Sequence, residues 1–117
     1  MSHDTIRGLL VRASGPAEVV TIPSDWRELN AIIGASWGQV VRTPIDGVVM
    51  WVDEEGRLTG KPDNQLLSYR LYPGLICGDA FLVAEVKDPE PDTASLTDGQ
   101  VEQLRAWIPF TTERAPQ

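Results

Sequence analysis

The chain contains little cysteine and little histidine, with one residue of each among 117. The single cysteine, Cys77, cannot form an intramolecular disulfide, and no second cysteine or clustered histidine completes a zinc site around it. His3, the only histidine, lies at the chain end, so Cys77 lacks a histidine partner that would activate it as a nucleophile. We therefore expect a reducing intracellular environment, no metal, no cofactor, no catalytic residue and no enzymatic activity.

A long hydrophobic run and an excess of bases are missing as well. The apolar run near the N-terminus covers only about three residues, whereas a membrane span needs about twenty. We expect no membrane association and a cytoplasmic protein. Seventeen acids against ten bases give a net charge of −7, which repels phosphates, and no Lys/Arg stripe is interleaved with aromatics. Direct nucleic-acid binding is not expected, and we interpret the charge as solubility charge rather than as an imitation of DNA.

Alternation of apolar residues and the frequency of β-branched side chains predict five strands, at residues 5–13, 18–22, 37–42, 48–53 and 76–86. The last is apolar on both faces, which favours a central position in a sheet. We expect the turn at residues 53–56 to contain Gly56 with a positive φ. An acidic, proline-containing loop is predicted at residues 88–95, and a flexible tail at residues 110–117.

Helical spacing predicts a helix over residues 25–33, capped by Ser24 and ended by Gly34. A second, short helix is predicted over residues 64–72. A third is predicted after a capping box at residues 95–98. The expected fold is a single α+β domain over residues 1–117, with a mainly antiparallel sheet of about five strands and two or three helices packed on one side.

Landmarks in the second half of the chain follow one another in a distinctive order. DEEGRL ends a strand, Pro62-Asp63-Asn64 follows, I-x-GDAFLV begins at Ile76, and S-L-T-D begins the last helix. In this order the chain resembles a small family of uncharacterised domains frequent in bacteriophages, especially those of actinobacteria, and on plasmids. The resemblance covers most of the chain. It implies a phage or mobile-element context and, because the family is one of unknown function, no particular activity.

The polar connection before the fifth predicted strand carries most of the candidate binding residues. Lys61, Asn64, Tyr69 and Arg70 bring two cations, an amide and an aromatic ring together near the turn at residues 53–56. Recognition residues favour such loops on a rigid sheet. We therefore predict that a partner or ligand docks on this patch.

A structural role is the alternative for the same residues. Asn64 or Asp63 would then cap the short predicted helix. Arg70 would pair with a glutamate at residues 54–55, and Tyr69 would pack in the core. Both interpretations remain open from the sequence alone.

Four tryptophans make the chain rich in residues that serve both as core and as interface anchors. Trp26 and Trp107 lie in apolar helical stripes and are predicted to be core. Trp51 is predicted to lie on the less buried face of its strand, where a neighbouring helix or another chain covers it. Trp37, at the start of a strand, joins the candidate binding residues.

These features together predict a non-enzymatic accessory protein that binds a host protein, as a modulator or inhibitor of host function or defence, or that self-associates. The alternative is a small-ligand binder, such as a protein that sequesters a nucleotide signal used in host defence. That alternative needs a pocket walled by aromatic and basic side chains, for which Tyr69, Arg70, Lys61 and Trp37 are the candidates.

Overall fold

The chain forms a six-stranded sheet flanked by two helices. The computed structural model describes residues 5–14, 16–86 and 92–108. In chain order the elements are β1 (Thr5–Val11), β2 (Ala17–Pro23), α1 (Trp26–Ile32), β3 (Gly38–Arg42), β4 (Val48–Asp53), β5 (Ala80–Val86), β6 (Asp92–Ala94) and α2 (Asp98–Trp107). The α+β class and the antiparallel sheet expected from the sequence are confirmed.

The main path of the sheet has the strand order β2-β1-β5-β4-β3, and each neighbouring pair is antiparallel. β5 is central, as predicted: its Leu82 lies opposite Leu9 of β1 on one side and Met50 of β4 on the other. The β3–β4 hairpin turns at Gly47, whose φ of 75° suits a tight connection. β2 and β3 are the two edges of this path.

β5 supplies apolar side chains to both faces of the sheet, as expected from its unbroken apolar run over residues 80–84. Phe81 packs in a cluster with Leu29 of α1, whereas Leu82 packs in a larger cluster with Leu104 of α2. The helices therefore lie on opposite faces instead of sharing the one side that we expected. The sheet is the middle layer of three, and this explains why its central strand has no polar face.

Each helix begins slightly later than the sequence indicated. Asp25, rather than Ser24, is the N-cap of α1, and its carboxylate accepts a backbone N–H at 2.8 Å. Thr97, rather than Ser95, is the N-cap of α2 and forms a reciprocal capping box with Gln100. In both cases the cap is the residue whose side-chain oxygen reaches the open N–H groups of the first turn.

We call residues 54–79, which join β4 to β5, the connector. The helix predicted over residues 64–72 is absent, because this stretch consists of turns and isolated bridges. Tyr69 has a φ of 59°, a left-handed conformation that does not continue an α-helix. The spacing that suggested a helix instead reflects Leu67 and Leu71, both of which the connector buries in the core.

Gly56, near the start of the connector, does not have the positive φ that we expected. A Cβ at this position would lie 2.6 Å from the backbone carbonyl oxygen of Cys77. Glycine is therefore needed for a close approach of two backbone segments rather than for a turn conformation. This approach brings the beginning and the end of the connector together.

The predicted loop at residues 88–95 contains a strand. Asp92–Ala94 form β6, which pairs antiparallel with residues 84–86 of β5. Residues 87–91 lie outside the described part of the chain, as does the tail predicted at residues 110–117. The prolines and acids of this segment indicated a loop, but Thr93 at the centre of β6 is a β-branched residue of the kind that favours a strand.

Candidate functional site

Asn64 attaches the connector to the sheet from the inside. Its side chain is wholly buried, and its amide group donates to the Val11 carbonyl at 2.9 Å and to the Gly78 carbonyl at 3.0 Å. Its Oδ1 is buried without a hydrogen-bond partner in the structure. Asn64 is therefore an internal anchor rather than the surface recognition residue or the helix cap expected from the sequence.

Lys61 ties the connector to α1 and β4. Its Nζ lies 2.7 Å from Oδ2 of Asp53, whose side chain is only 6% exposed, and donates to the Gly34 carbonyl at 2.6 Å. The cation neutralises a buried carboxylate and binds an open carbonyl just beyond the end of α1, where the helix dipole favours positive charge. The charge of Lys61 is thus engaged within the fold.

Tyr69 and Arg70 form the exposed end of the connector, and we call this pair the tip. Tyr69 is 72% exposed, and its N–H donates to the Gly74 carbonyl at 2.9 Å, while the Arg70 N–H donates to the Leu67 carbonyl at 3.1 Å. Within the described residues neither side chain makes a hydrogen bond or ion pair. The expected pairing of Arg70 with residues 54–55 and the packing of Tyr69 in the core are therefore wrong. A fixed backbone presents both side chains to solvent.

The tryptophans divide differently from the sequence prediction. Trp26 and Trp107, expected in the core, are 55% and 41% exposed, because the short helices bury other residues against the sheet. Trp51 is half-buried, and α1 covers it as expected: its Nε1 donates to Oδ1 of Asn30 at 2.8 Å. Trp37, immediately before β3, is 65% exposed and remains available for contact.

The structure separates the five predicted binding residues into two groups. Lys61 and Asn64 hold the connector in place, whereas Tyr69, Arg70 and Trp37 present exposed side chains. The exposed edge formed by β3 was not among the predicted binding residues. Its half-polar sequence GQVVR carried a signal, but exposure of an edge depends on the strand order, which the sequence does not reveal.

Two cavities lie along β3 and the turn that follows it. The cavity beside β3 has a volume of about 130 Å³ and is lined by Gln39, Val41, Glu54, Arg57, Tyr72 and Leu75, among others. The cavity at the β3–β4 turn has a volume of about 270 Å³. Neither cavity is lined by Lys61, Tyr69, Arg70 or Trp37. Both are smaller than a usual ligand site, which has a volume of roughly 300–1,000 Å³. They lend no support to the small-ligand alternative.

Cys77 lines the smaller cavity. Burial, and after it the negative charge of Asp63, raises the pKa of the Cys77 thiol. A protonated thiol is a weak nucleophile. No group of three or more His, Cys, Asp or Glu residues that could hold a metal ion occurs in the described parts of the chain. What the tip offers chemically is an aromatic ring and a guanidinium, two groups that bind by contact.

One protein family model matches almost all of the described fold. A family model described as a domain of unknown function, DUF3846, matches residues 6–108. The chain belongs to the DUF3846 family. The match extends from β1 to the residue after α2, so the connector and the tip lie inside the DUF3846 region. The resemblance drawn from the landmark motifs is thereby confirmed at the level of an uncharacterised family.

The DUF3846 fold is similar to part of one solved structure, that of the small RNA methyltransferase HEN1. The superposition has a TM-score of 0.62 at 14% sequence identity and covers 86% of this chain but 16% of that chain. At this identity the likeness shows the fold alone. No curated protein matches the DUF3846 chain. Neither helix in the described residues has the length and apolar content needed to cross a membrane.

Proposed function

We propose that this chain is a non-enzymatic protein-binding domain of a phage or another mobile element, which binds a host protein through its tip. The conformation of Tyr69 is the observation that supports the proposal. A left-handed backbone conformation costs a non-glycine residue about 1–2 kcal/mol of stability. Because the Tyr69 ring is 72% exposed, its burial offsets little of this cost. Strained residues of this kind cluster at functional sites.

The chemistry and rigidity of the tip also suit protein recognition. Tyrosine and arginine are among the residues most enriched at the energetic centres of interfaces. Lys61 and Asn64 fix the connector below the tip, so little conformational entropy is lost when a partner binds. The partner best suited to the tip has an apolar pocket for the ring of Tyr69 and a carboxylate for the guanidinium of Arg70.

Capture of host proteins on immobilised chain tests the proposal. Wild-type protein should retain one host protein at near-equal stoichiometry, and the double variant Tyr69→Ala/Arg70→Ala should reduce its recovery at least about tenfold, a loss of roughly 1.4 kcal/mol. The matched control is Trp26→Ala/Arg27→Ala, which removes another exposed aromatic–arginine pair, with a ring-to-guanidinium distance of 4.7 Å. Equal recovery by the tip variant would contradict docking at the tip, and co-elution of a nucleotide instead of a protein would favour the ligand alternative.

Tyr69→Gly separates binding from folding. Glycine adopts a positive φ without strain, although it also increases the entropy of the unfolded chain. We expect the free energy of unfolding to stay unchanged or rise by up to about 1 kcal/mol, while partner binding is lost. A fall of more than about 1 kcal/mol would mean that the Tyr69 side chain stabilises the fold.

A further inference from the structure

β3 is an edge strand whose first four residues, 38–41, lack the usual protection of sheet edges. In the described part of the chain it pairs only with β4, in unbroken register over all five residues. No proline, lysine or bulge interrupts residues 38–41, and the one charged residue of β3, Arg42, occupies its last position, where it pairs with Glu85 at 3.6 Å. The opposite edge, β2, carries the Glu18–Arg12 ion pair and ends in Pro23. An unprotected edge presents unpaired N–H and C=O groups, which another extended backbone can satisfy.

The smaller cavity forms a groove along one face of this edge. Gln39 and Val41 of β3 line the groove together with Tyr72 and Leu75 of the connector. Its volume of about 130 Å³ is close to the roughly 150 Å³ that accommodates a benzene ring. The groove therefore fits one apolar side chain and is too small for a nucleotide.

The spacing of the edge and the groove matches an added strand. A segment that extends the sheet beyond β3 directs every second side chain to the groove face and the intervening ones to the other face. On that other face it meets Val40, which is 40% exposed and pairs with Trp51 of β4. Exposed Trp37 lies immediately before β3 and adds apolar surface next to the edge.

Charge at the same end of β3 indicates the kind of partner. Glu54 and Glu55 follow β4 and are exposed, and neither forms an ion pair within the described residues. Arg57 contributes one positive charge to the groove, so an acidic excess remains. Because the chain carries a net charge of −7, a second copy is repelled, whereas a segment containing lysine or arginine is attracted.

We propose that β3 is a strand-addition site for an extended segment of a partner protein. One medium-sized apolar side chain of the segment occupies the groove between Val41 and Leu75, and a basic residue lies beside Glu54. The partner backbone pairs with β3 and lengthens the sheet by one strand. This surface is distinct from the tip, and the proposal does not depend on binding of a host protein there.

Selection from a displayed library of random eight-residue peptides on immobilised wild-type protein tests the site. Enriched peptides should alternate β-branched or other apolar residues, contain lysine or arginine and lack proline. Bound peptide should slow hydrogen exchange of the β3 amides. Enrichment of proline-rich or acidic peptides, or protection confined to residues outside β3, would overturn the proposal.

Paired variants provide the controls. Leu75→Trp fills the groove and should weaken a synthetic selected peptide at least about tenfold, whereas Leu58→Trp, at a position 87% exposed and outside the groove, should leave its affinity within about twofold. Glu54→Lys should shift selection from basic to acidic peptides, and Glu28→Lys on α1 should not. The double variant Tyr69→Ala/Arg70→Ala should bind the peptide with wild-type affinity. Loss of host-protein binding at the tip is thereby distinguished from loss of peptide binding at β3. Dimerisation of the wild-type chain through β3, detected by sedimentation, would instead assign the edge to a second copy and refute the proposal.

Discussion

Replacing Asn64 by alanine removes the two hydrogen bonds that join the connector to the sheet. The Val11 and Gly78 carbonyls, bound at 2.9 and 3.0 Å, then lose their donor in a wholly buried position. An unsatisfied buried polar group costs about 1–3 kcal/mol. Removal of the unpartnered Oδ1 returns part of this cost, because that atom is already buried without a hydrogen bond. We expect Asn64→Ala to lower the free energy of unfolding by about 2–4 kcal/mol.

Asn64→Asp probes the same contacts with an almost identical shape. An ionised carboxylate at this position would face two carbonyl oxygens in the interior, so burial should raise the pKa of the new carboxyl above its value in the unfolded chain. A raised folded pKa means that the variant is most stable when this carboxyl is protonated. Its destabilisation relative to wild type should therefore be smaller at pH 5 than at pH 8.

Urea denaturation followed by tryptophan fluorescence measures both effects. Gln65→Ala is the matched control, because Gln65 is exposed beside Asn64 and should change stability by no more than about 0.5 kcal/mol. The reasoning is refuted if Asn64→Ala lies within that same margin, or if Asn64→Asp is equally stable relative to wild type at both pH values. Either result would mean that the two hydrogen bonds of Asn64 contribute little to holding the connector in place.

Three further predictions concern the remaining polar contacts. Gly38→Ala places a Cβ onto the Trp51–Asn30 hydrogen bond and should lower the free energy of unfolding by about 2 kcal/mol or more. Urea denaturation should show this loss together with a red-shifted tryptophan fluorescence maximum, and an unchanged denaturation midpoint would contradict the prediction. Lys61→Met leaves the Asp53 carboxylate buried without its cation and should lower the free energy of unfolding by about 1–3 kcal/mol. An unchanged free energy of unfolding would mean that the ion pair is dispensable. Burial raises the pKa of the Cys77 thiol, so the stability that the buried thiol contributes is present below the unfolded pKa and is lost as pH rises through the folded pKa. Cys77→Ala should remove this loss of stability at alkaline pH. A disulfide reagent should react with Cys77 far more slowly in the native protein than in urea.

The strands were predictable because their signal is local. β4 has the predicted bounds, and β5 was recognised as central from its apolar residues on both faces. The distribution of helices over the two faces was not predictable, since a sequence pattern reveals that a face is buried but not what covers it. The caps were misplaced by one or two residues because Ser24 and Asp25, like Ser95 and Thr97, are both good capping residues.

The candidate site was less predictable than the fold. Tyr69 and Arg70 were selected for their residue types and for their place in a polar connection, and both are exposed. Asn64 was misjudged because its two acceptors come from β1 and from the end of the connector, residues distant in sequence. A left-handed tyrosine has no recognised sequence signature, so the helix predicted over residues 64–72 could not be rejected beforehand.

The central position of β5 affects the chain while it is being synthesised. Until residue 86 has emerged from the ribosome, β1–β2 and β3–β4 are two hairpins with no strand between them, and isolated hairpins are marginally stable in water. Pairing Leu9 with Leu82 closes a very long loop, and non-local pairing of this kind is slow. While residues 54–86 are being added, the growing chain therefore exposes the apolar faces of both hairpins, and chaperones and proteases act on such exposed surface before β5 completes the sheet.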